Sequence, residues 1–549
     1  MISFMENYNS FNLFNIVDIL IIGLLTYVLI FYIQYFTRNK RLPGPIPIPI
    51  IGNIEAYRVD FMKTAEKMQL KYGDFWEIWQ GSDRHVWISR ADLATKLLNP
   101  SFHNNNYSFR TAENKGLELM GLTSKGIIYN LNLEGWITDR KYINQIFMSP
   151  KFLRQSVQIT SELFSEMEKY WINLGLGIEL NLANWMMRFM TDFTFIATTN
   201  KKIYALLNYY NTFPNSKNDD DDGDGDDEVI NNSTAILQES EKMVKAIRTH
   251  FMAAIFFKDT AKYLRILYPP YRAKSKKLLS EVGWLNERVK ELVEERKKEI
   301  EEIYKDNTNT LSEKELRADM LTMMLTLNIS HDTTTTTKDA EPMSEDEIQE
   351  IVYEIIGGGI DTTSNSFCYL IYYIEHYPEV KEKMMKEIEL LFGKDINRPI
   401  TYEELNKSSY CDSIIKEVSR LMTTVPVLFR INSKADEIDG HKFEPSTIFK
   451  INVKEIQMNK AHWKDPEKFN PDRFMGSNAE SIQRNSFLPF GGGSRICPGK
   501  QLAMLQMKQL MMLFYRKYDV ELVDKNAPIK YVSSVVNHCE ELMFRIKLK

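Results

Sequence analysis

The sequence predicts a mainly α-helical protein with a small β-sheet region, preceded by one N-terminal transmembrane helix. Residues 16–36 form one apolar run, and long stretches such as 282–304 and 402–422 repeat apolar residues at helical spacing. Strand-like segments are short and few, at 75–78, 85–89 and 448–453. We therefore expect a helical domain with a small sheet near its membrane-proximal side.

Composition excludes some classes of protein. The net charge of the 549 residues is −5, and no basic stripe stands out beyond the cluster that follows the apolar run, so no nucleic-acid partner is expected. The four cysteines are Cys368, Cys411, Cys497 and Cys539. They are too scattered for a disulfide framework or a zinc site, which favours a reducing compartment.

The apolar run 16–36 predicts a single membrane span. It contains one charge, Asp18, and would form about 31 Å of helix at about 1.5 Å per residue. Basic residues follow at 38–41 and Glu6 precedes, so the positive-inside rule puts residues 1–15 in the lumen and the rest in the cytosol. A cleaved signal peptide is disfavoured because the run is long and lacks both a preceding basic segment and a following cleavage site.

The rest of the chain divides into a hinge and one large domain. Residues 37–53 form a basic, proline-rich hinge, which is expected to be extended and stiff. Residues 54–549 are expected to form the domain, with disordered insertions at 214–232 and 328–341. The acidic run 219–228 in the first insertion has too few apolar residues to order itself.

One long helix is predicted over residues 345–377. Ser344 followed by Glu347 is a capping-box pattern, and Pro378 stops the helix after about 50 Å at about 1.5 Å per residue. Three consecutive glycines, 357–359, should weaken or bend its middle.

Beside those glycines the helix carries an acid and a hydroxyl. Gly358, Asp361 and Thr362 share a face through their spacing of three and four residues. The pattern predicts a groove lined by both groups. A threonine that bonds back to its own helix is the structural alternative.

A glutamate and an arginine stand three residues apart further along. Glu417 and Arg420 lie on one helical face, which by itself indicates little, because surface pairs at this spacing are common. Residues 471–474, with the sequence PDRF, follow about fifty residues later and contain a second arginine, Arg473.

Residues 490–499 read FGGGSRICPG and place Cys497 in a glycine-rich turn. A metal-ligating cysteine binds as thiolate, so positive charge from Arg495 and a following helix N-terminus would favour it. Pro498 fits the first turn of that helix, which runs towards Leu513. An ordinary buried thiol is the alternative for a lone cysteine.

These ten residues, from Phe490 onwards, match the pattern F-x-x-G-x-R-x-C-x-G of the cytochrome P450 family, which the chain resembles strongly from this point on. The resemblance implies a cytochrome P450 fold for residues 54–549. It also implies haem b (iron protoporphyrin IX) as cofactor, with Cys497 as the axial ligand of the haem iron. Phe490 and Arg495 belong to the same haem-binding loop.

The resemblance assigns roles to the two earlier motifs. Asp361 would relay protons from solvent, and Thr362 would hold water or the reduced oxygen by hydrogen bonds, because cleaving dioxygen consumes two protons. The family more often has alanine where Gly358 stands, which should give extra room. Glu417, Arg420 and Arg473 would form a structural network that locks the loop carrying Cys497.

The haem propionates need cations or hydrogen-bond donors. Trp136 and Arg140 resemble the family's W-x-x-x-R helix, and Arg495 and Arg430 are further candidates. Arg110 is the least supported candidate. For Arg430 and Arg110, a surface ion pair is the alternative.

The function implied is a membrane-anchored, microsomal-type haem-thiolate monooxygenase. It would insert one oxygen atom of O2 into a hydrophobic organic substrate, with electrons from NADPH-cytochrome P450 reductase and cytochrome b5 as a second candidate donor. Electrons are expected to come from a separate protein, since no flavin or nicotinamide domain is expected in a chain that ends at Lys549. The expected location is the endoplasmic reticulum membrane, single-pass, with the catalytic domain in the cytosol.

Two other functions compete. A haem-thiolate isomerase or dehydratase would rearrange peroxides without O2 or reductase, but it has no need of the relay at Asp361 and Thr362. A non-catalytic haem-binding sensor would show no substrate-dependent NADPH oxidation. Substrate identity is not encoded in these motifs, because the expected pocket residues lie in variable segments. Those segments are 102–129, 200–268, 425–429 and 532–536.

Overall fold

A computed structural model describes residues 2–38, 40–54, 61–81, 83–98, 106–110, 115–122, 125–214, 233–260, 262–306, 318–333, 343–533 and 535–549. The helices in chain order are α1 Ile2–Thr37, α2 Phe61–Tyr72, α3 Ala91–Leu98, α4 Lys115–Glu118, α5 Leu133–Phe147, α6 Pro150–Leu174, α7 Leu182–Thr199, α8 Ala205–Tyr210, α9 Ser233–Asp259, α10 Lys262–Leu267, α11 Pro269–Asp306, α12 Met320–Thr333, α13 Glu345–His376, α14 Pro378–Phe392, α15 Tyr402–Leu405, α16 Ser409–Leu421, α17 Val453–Met458, α18 Gly476–Glu480 and α19 Lys500–Lys517. The strands are β1 Phe75–Gln80, β2 Asp83–Ile88, β3 Leu180–Asn181, β4 Val427–Ile431, β5 Asp436–Ile438, β6 His441–Phe443, β7 Ile448–Asn452, β8 Tyr518–Leu522, β9 Lys530–Ser533, β10 Asn537–Glu541 and β11 Met543–Leu548.

Helix α1 contains the predicted membrane span. Its segment Val17–Thr37, 21 residues with a mean hydropathy of 2.2, is long and apolar enough to cross a membrane, and only 6% of its most apolar stretch is buried in the protein. The span lies one residue later than the predicted 16–36. Residues 2–15, predicted as a separate short segment, belong to the same helix, which runs over Ile2–Thr37.

The chain forms two compact units, where the sequence predicted one domain over 54–549. The first comprises residues 1–107 and 429–451 and carries most of a four-stranded sheet of order β1-β2-β7-β4. Strands β1 and β2 are antiparallel, whereas β2 and β7 are parallel. At the centre of this unit, the fully buried Glu77 pairs with Arg38 at 2.7 Å and with Arg84 at 2.6 Å.

The second unit comprises residues 108–428 and 452–549 and holds most of the helices. Its aromatic core centres on Trp171, whose ring lies 5.8 Å from Trp185, 5.4 Å from Phe514 and 5.8 Å from Phe544. These rings join α6, α7, α19 and β11. The mainly helical fold with small sheets is thus confirmed.

Two predicted boundaries were wrong. The insertion predicted at 328–341 overlaps α12 at residues 328–333. At the start of that helix, the Asp319 carboxylate accepts the Thr322 N–H at 2.9 Å. The helix predicted over 402–422 is two helices, α15 and α16. The acidic run 219–228 and residues 334–341 lie outside the described residues.

Helix α13 matches its prediction closely. The capping box of Ser344 and Glu347 is confirmed. The helix ends at His376, one residue earlier than predicted, and Tyr377 is its C-cap. It continues as α-helix through glycines 357–359, which were expected to weaken or bend it. Of the three glycines, only Gly357 has a close neighbour among the described residues: an added Cβ would lie 3.3 Å from Cδ2 of His250.

Candidate active site

The loop that carries Cys497 depends on glycine. Gly491 and Gly493 adopt φ values of +75° and +68°, a region that favours glycine. The Gly491 N–H donates to the Leu488 carbonyl at 2.9 Å, and the Cys497 N–H donates to the Phe490 carbonyl at 2.9 Å. These two bonds close the turn that presents the thiol.

Helix α19 follows directly, but it begins later than the sequence predicted. Gly499 is the N-cap and Lys500 the first helical residue, so Pro498 lies just before the helix rather than in its first turn. The proline thus belongs to the loop. The helix N-terminus and the Gly499 N–H still lie beside the sulfur, the arrangement expected to favour a thiolate.

Cys497 differs from the other three cysteines in exposure. Cys368, Cys411 and Cys539 are buried, whereas Cys497 is half-buried as a whole residue. Burial raises the pKa of the Cys497 thiol, while the Gly499 N–H and the guanidiniums of Arg110 and Arg140 act in the opposite direction. A cysteine with nearby cations and a backbone N–H donor suits an axial ligand.

Three arginines and a tryptophan meet around this loop. Arg110 donates to the Arg495 carbonyl at 2.6 Å, and Arg140 donates to the carbonyl of Ile496. The Arg495 guanidinium stacks on Trp136, with its central carbon 3.6 Å from the ring centroid. The structure therefore brings together four of the predicted propionate ligands, including the least supported one, Arg110.

Their other contacts go to the segment before α5. Arg495 donates from Nε to the Ser108 carbonyl at 3.0 Å and from Nη1 to the Ile127 carbonyl at 3.3 Å. Trp136 Nε1 donates to the same Ile127 carbonyl at 3.2 Å. Arg430 belongs to the first unit, where it donates to the Phe429 carbonyl at 2.8 Å.

These residues fit a haem. Burial lowers the pKa of Arg140 to about 10, so its guanidinium stays charged at neutral pH. Its buried Nε has no hydrogen-bond partner within the described part of the chain. Haem has an iron centre that needs a ligand and two propionates that need cationic donors. Cys497 provides the thiol, and Arg140 provides a buried donor without a partner in the described residues, with two further guanidiniums nearby.

Glu417 and Arg420 form a fully buried, bidentate ion pair on α16. Arg420 Nε lies 2.7 Å from Glu417 Oε2, and Nη2 lies 2.8 Å from Oε1. Arg473 joins the pair, its Nε donating to Glu417 Oε1 at 3.3 Å. The backbone N–H of Asn470 also donates to Glu417 Oε1, at 2.9 Å.

A residue that the sequence did not single out connects this pair to the cysteine loop. Gln457, fully buried on α17, donates from Nε2 to the Arg420 carbonyl at 3.2 Å. Its Oε1 accepts the Leu488 N–H at 2.9 Å, and Leu488 in turn accepts the Gly491 N–H. The network therefore reaches the loop through one glutamine amide, which no local pattern marks.

Asp361 and Thr362 occupy the middle of α13. Thr362 donates its hydroxyl to the Gly358 carbonyl at 2.9 Å, the back-bonding arrangement named as the alternative, and its oxygen remains able to accept. Asp361 is buried, and its Oδ2 finds no hydrogen-bond partner among the residues described. Burial raises the pKa of Asp361, while the charges of His538 and Arg248 act in the opposite direction.

A second acid on α13 was missed by sequence reasoning. Glu354, buried two turns before Asp361, accepts the N–H groups of Ile127 at 2.5 Å, Ile128 at 2.7 Å and Tyr129 at 3.1 Å. Burial raises its pKa to about 7, although these three bonds act in the opposite direction. Glu354 thereby fixes the segment whose Ile127 carbonyl contacts Trp136 and Arg495.

The comparisons with known proteins agree with this geometry. A family model described as Cytochrome P450 matches residues 42–544. Cytochrome P450 4d2 of Drosophila melanogaster is 25% identical over 492 residues, which cover 88% of this chain and 89% of that protein. Cytochrome P450 4d10 of Drosophila mettleri is 32% identical over 212 residues, covering 38% of this chain and 41% of that protein.

The solved structures support the fold. The crystal structure of the cytochrome P450DA heme domain matches with a TM-score of 0.70 at 16% identity, covering 93% of this chain and 98% of that one. The family match includes the cysteine loop, the buried Glu417–Arg420 pair and the glycine-rich centre of α13. The chain belongs to the cytochrome P450 family, whose members are haem-thiolate monooxygenases that bind protoporphyrin IX haem.

Proposed function

We propose that this chain is a membrane-anchored monooxygenase that inserts one oxygen atom of O2 into a hydrophobic organic substrate and reduces the other to water. The observation that carries the proposal is that one family-matched region contains both the glycine-rich loop of Cys497 and the acid and hydroxyl in the middle of α13. A haem-binding sensor would need only the cysteine, and a peroxide isomerase would have no use for the acid and the hydroxyl of α13.

The proposed holders of the haem are residues around the cysteine loop. Cys497 would be the axial ligand, and Trp136, Arg140 and Arg495, with Arg110, would neutralise and hydrogen-bond the propionates. Arg430 is a further candidate for that role. When bound, haem supplies the oxygen-activating chemistry, which a thiolate ligand promotes.

The chain's own contribution is positioning and protons. Buried Glu417, Arg420 and Gln457 hold the loop of Cys497, while Arg473 completes the ion pair from the side. Asp361 is the proposed proton carrier, because its carboxyl is buried in the middle of α13, where burial raises its pKa. Thr362 would accept or donate a hydrogen bond at the reaction site, and the fully buried Ile356 and Ile360 help to exclude water from this part of α13.

We further propose an NADPH-dependent cytochrome P450 reductase as the electron donor, with cytochrome b5 as a second donor. The proposed location is the endoplasmic reticulum membrane, with the catalytic part in the cytosol. Support comes from the apolar part of α1 and from the basic residues 38–41 that follow it.

A reductase-dependence assay tests this proposal. The full-length protein with haem should oxidise hydrophobic substrates only when NADPH, reductase and O2 are all present. Fast turnover of a lipid hydroperoxide without NADPH would instead show a peroxide isomerase or dehydratase. If haem binds and neither reaction occurs across a broad panel of hydrophobic compounds, the protein is a sensor.

A further inference from the structure

Strand β10 is fixed against the middle of α13 by bonds on both sides of His538. Asn365 accepts the Cys539 N–H with its side-chain oxygen at 2.8 Å. Tyr369 donates its hydroxyl to the Asn537 carbonyl at 2.9 Å. Asp361, Asn365 and Tyr369 follow each other at intervals of four residues, so they form one stripe along α13 that faces this strand.

His538 consequently stands beside the buried acid. Its Nδ1 lies 3.9 Å from Asp361 Oδ2, the carboxylate oxygen for which the described residues provide no hydrogen-bond partner. The side chain of His538 is 30% exposed, whereas that of Asp361 is 3% exposed. The imidazole therefore lies between the buried carboxylate and accessible water.

The backbone around Asp361 is satisfied without the carboxylate. Ser364 donates to the Asp361 carbonyl at 3.1 Å, and the Asn365 amide donates to it as well. The carboxylate is thus left free to interact with groups outside its own helix. Two cationic or titratable groups face it: His538 from β10 and Arg248 from α9.

Only one of these two groups can transfer protons. Arginine stays protonated at any pH a protein experiences, so Arg248 can stabilise a charge but cannot exchange a proton. Histidine changes its charge near neutral pH and has two ring nitrogens, one for each side of a relay. We propose that His538 is a relay residue that passes protons from water to Asp361; this inference rests on the proposed monooxygenase function.

The relay balances without any further reactant. The imidazolium gives its Nδ1 proton to Asp361 Oδ2, which passes it on towards the side chain of Thr362. Neutral His538 then keeps its proton at Nε2. Tautomer exchange through water moves that proton to Nδ1, and the freed Nε2 takes a new proton from water, which restores the imidazolium. A distance of 3.9 Å is too long for a direct hydrogen bond, so a small side-chain rotation or one bridging water completes the contact.

Nitrogen NMR tests the contact without any turnover. The full-length protein is labelled with [15N]histidine, reconstituted in lipid and studied at one fixed pH near neutrality in its diamagnetic ferrous carbon-monoxide form. The chain has 8 histidines, and the resonance missing from His538→Gln identifies His538. Asp361→Asn should shift the Nδ1 signal of His538 towards the unprotonated form. An unchanged signal would overturn the proposal.

Kinetics then test the relay. With reductase, NADPH and laurate as the hydrophobic probe, His538→Gln should lower turnover about tenfold or more, release more hydrogen peroxide per NADPH and raise the solvent isotope effect. Asp361→Asn should do the same, and adding His538→Gln to it should change nothing further, because His538 acts through Asp361. Additive losses would contradict the relay.

A matched control is His376→Gln. His376 lies in the last turn of α13, and its ring contacts the carbonyls of Tyr372 and Lys525 at 2.7 Å each. This variant should keep wild-type turnover and isotope effect. If the wild type shows no NADPH-dependent turnover, the monooxygenase function fails while the NMR comparison still decides the contact. If the wild type turns over and His538→Gln matches it, the relay alone fails.

Discussion

At the scale of single residues, burial makes the Glu417–Arg420 pair important. Both side chains are 0% exposed, and every oxygen of Glu417 has a charged donor. The attraction within such a pair roughly offsets the desolvation of its two charges, but removing one partner leaves the other buried and unpaired, at about 3–5 kcal/mol. The exposed pair Arg154–Glu403, 2.8 Å apart, contributes only about 0–1 kcal/mol.

Glu417→Ala and Arg420→Ala should each abolish stable haem incorporation, because the unpaired charge loosens the support that Gln457 transmits to the Cys497 loop. Haem content per protein, measured after purification, checks this. Glu403→Ala, which breaks the exposed pair, should bind haem like the wild type. A Glu417→Ala protein with full haem content would refute the role assigned to the pair.

At the scale of elements, the three glycines 357–359 of α13 differ in how closely a neighbouring side chain packs against them. A Cβ atom at Gly357 would lie 3.3 Å from Cδ2 of His250 on α9, whereas one at Gly358 or Gly359 would lie 3.9 Å from its nearest neighbour. His250 is buried and contacts the Tyr353 hydroxyl at 2.8 Å. Burial lowers its pKa to about 4, so the ring that packs on Gly357 is neutral.

Gly357→Ala should lower the free energy of unfolding by about 1 kcal/mol, since the added methyl group overpacks against His250. Urea unfolding of the haem-bound protein measures this. Gly283→Ala on α11 is the matched control: no described heavy atom lies within 4 Å of its added Cβ, so it should stabilise by about 0.5–1 kcal/mol. Equal stabilisation by both substitutions would show that the contact at Gly357 is unimportant.

Local patterns predicted those parts of the site whose residues are close in sequence. The capping box of Ser344 and Glu347 spans four residues, and the loop of Cys497 spans ten. Gln457, Glu354 and His538 could not be found in this way, since their partners lie far along the chain: Glu354 is 227 residues from Ile127. Such contacts arise only when helices and strands pack, and single polar residues give no periodic signal.

At the scale of the whole molecule, the sequence predicted the helical class and the apolar span, but not the two units. The first unit combines the N-terminal 107 residues with 429–451, a segment that returns to the sheet through β4 and β7. A parallel pairing such as that of β2 with β7 joins residues some 360 positions apart, for example His85 with Ile448. No local pattern encodes it.

The central claim is that Cys497 ligates a haem iron, and the reduced carbon-monoxide difference spectrum tests it most directly. The wild type should show the Soret band of thiolate-ligated haem. Cys411→Ala, which changes a buried cysteine on α16, should retain that band, and Cys497→His should bind haem without it. A wild type whose reduced haem lacks the thiolate band, or a Cys497→His variant that keeps it, would contradict the account.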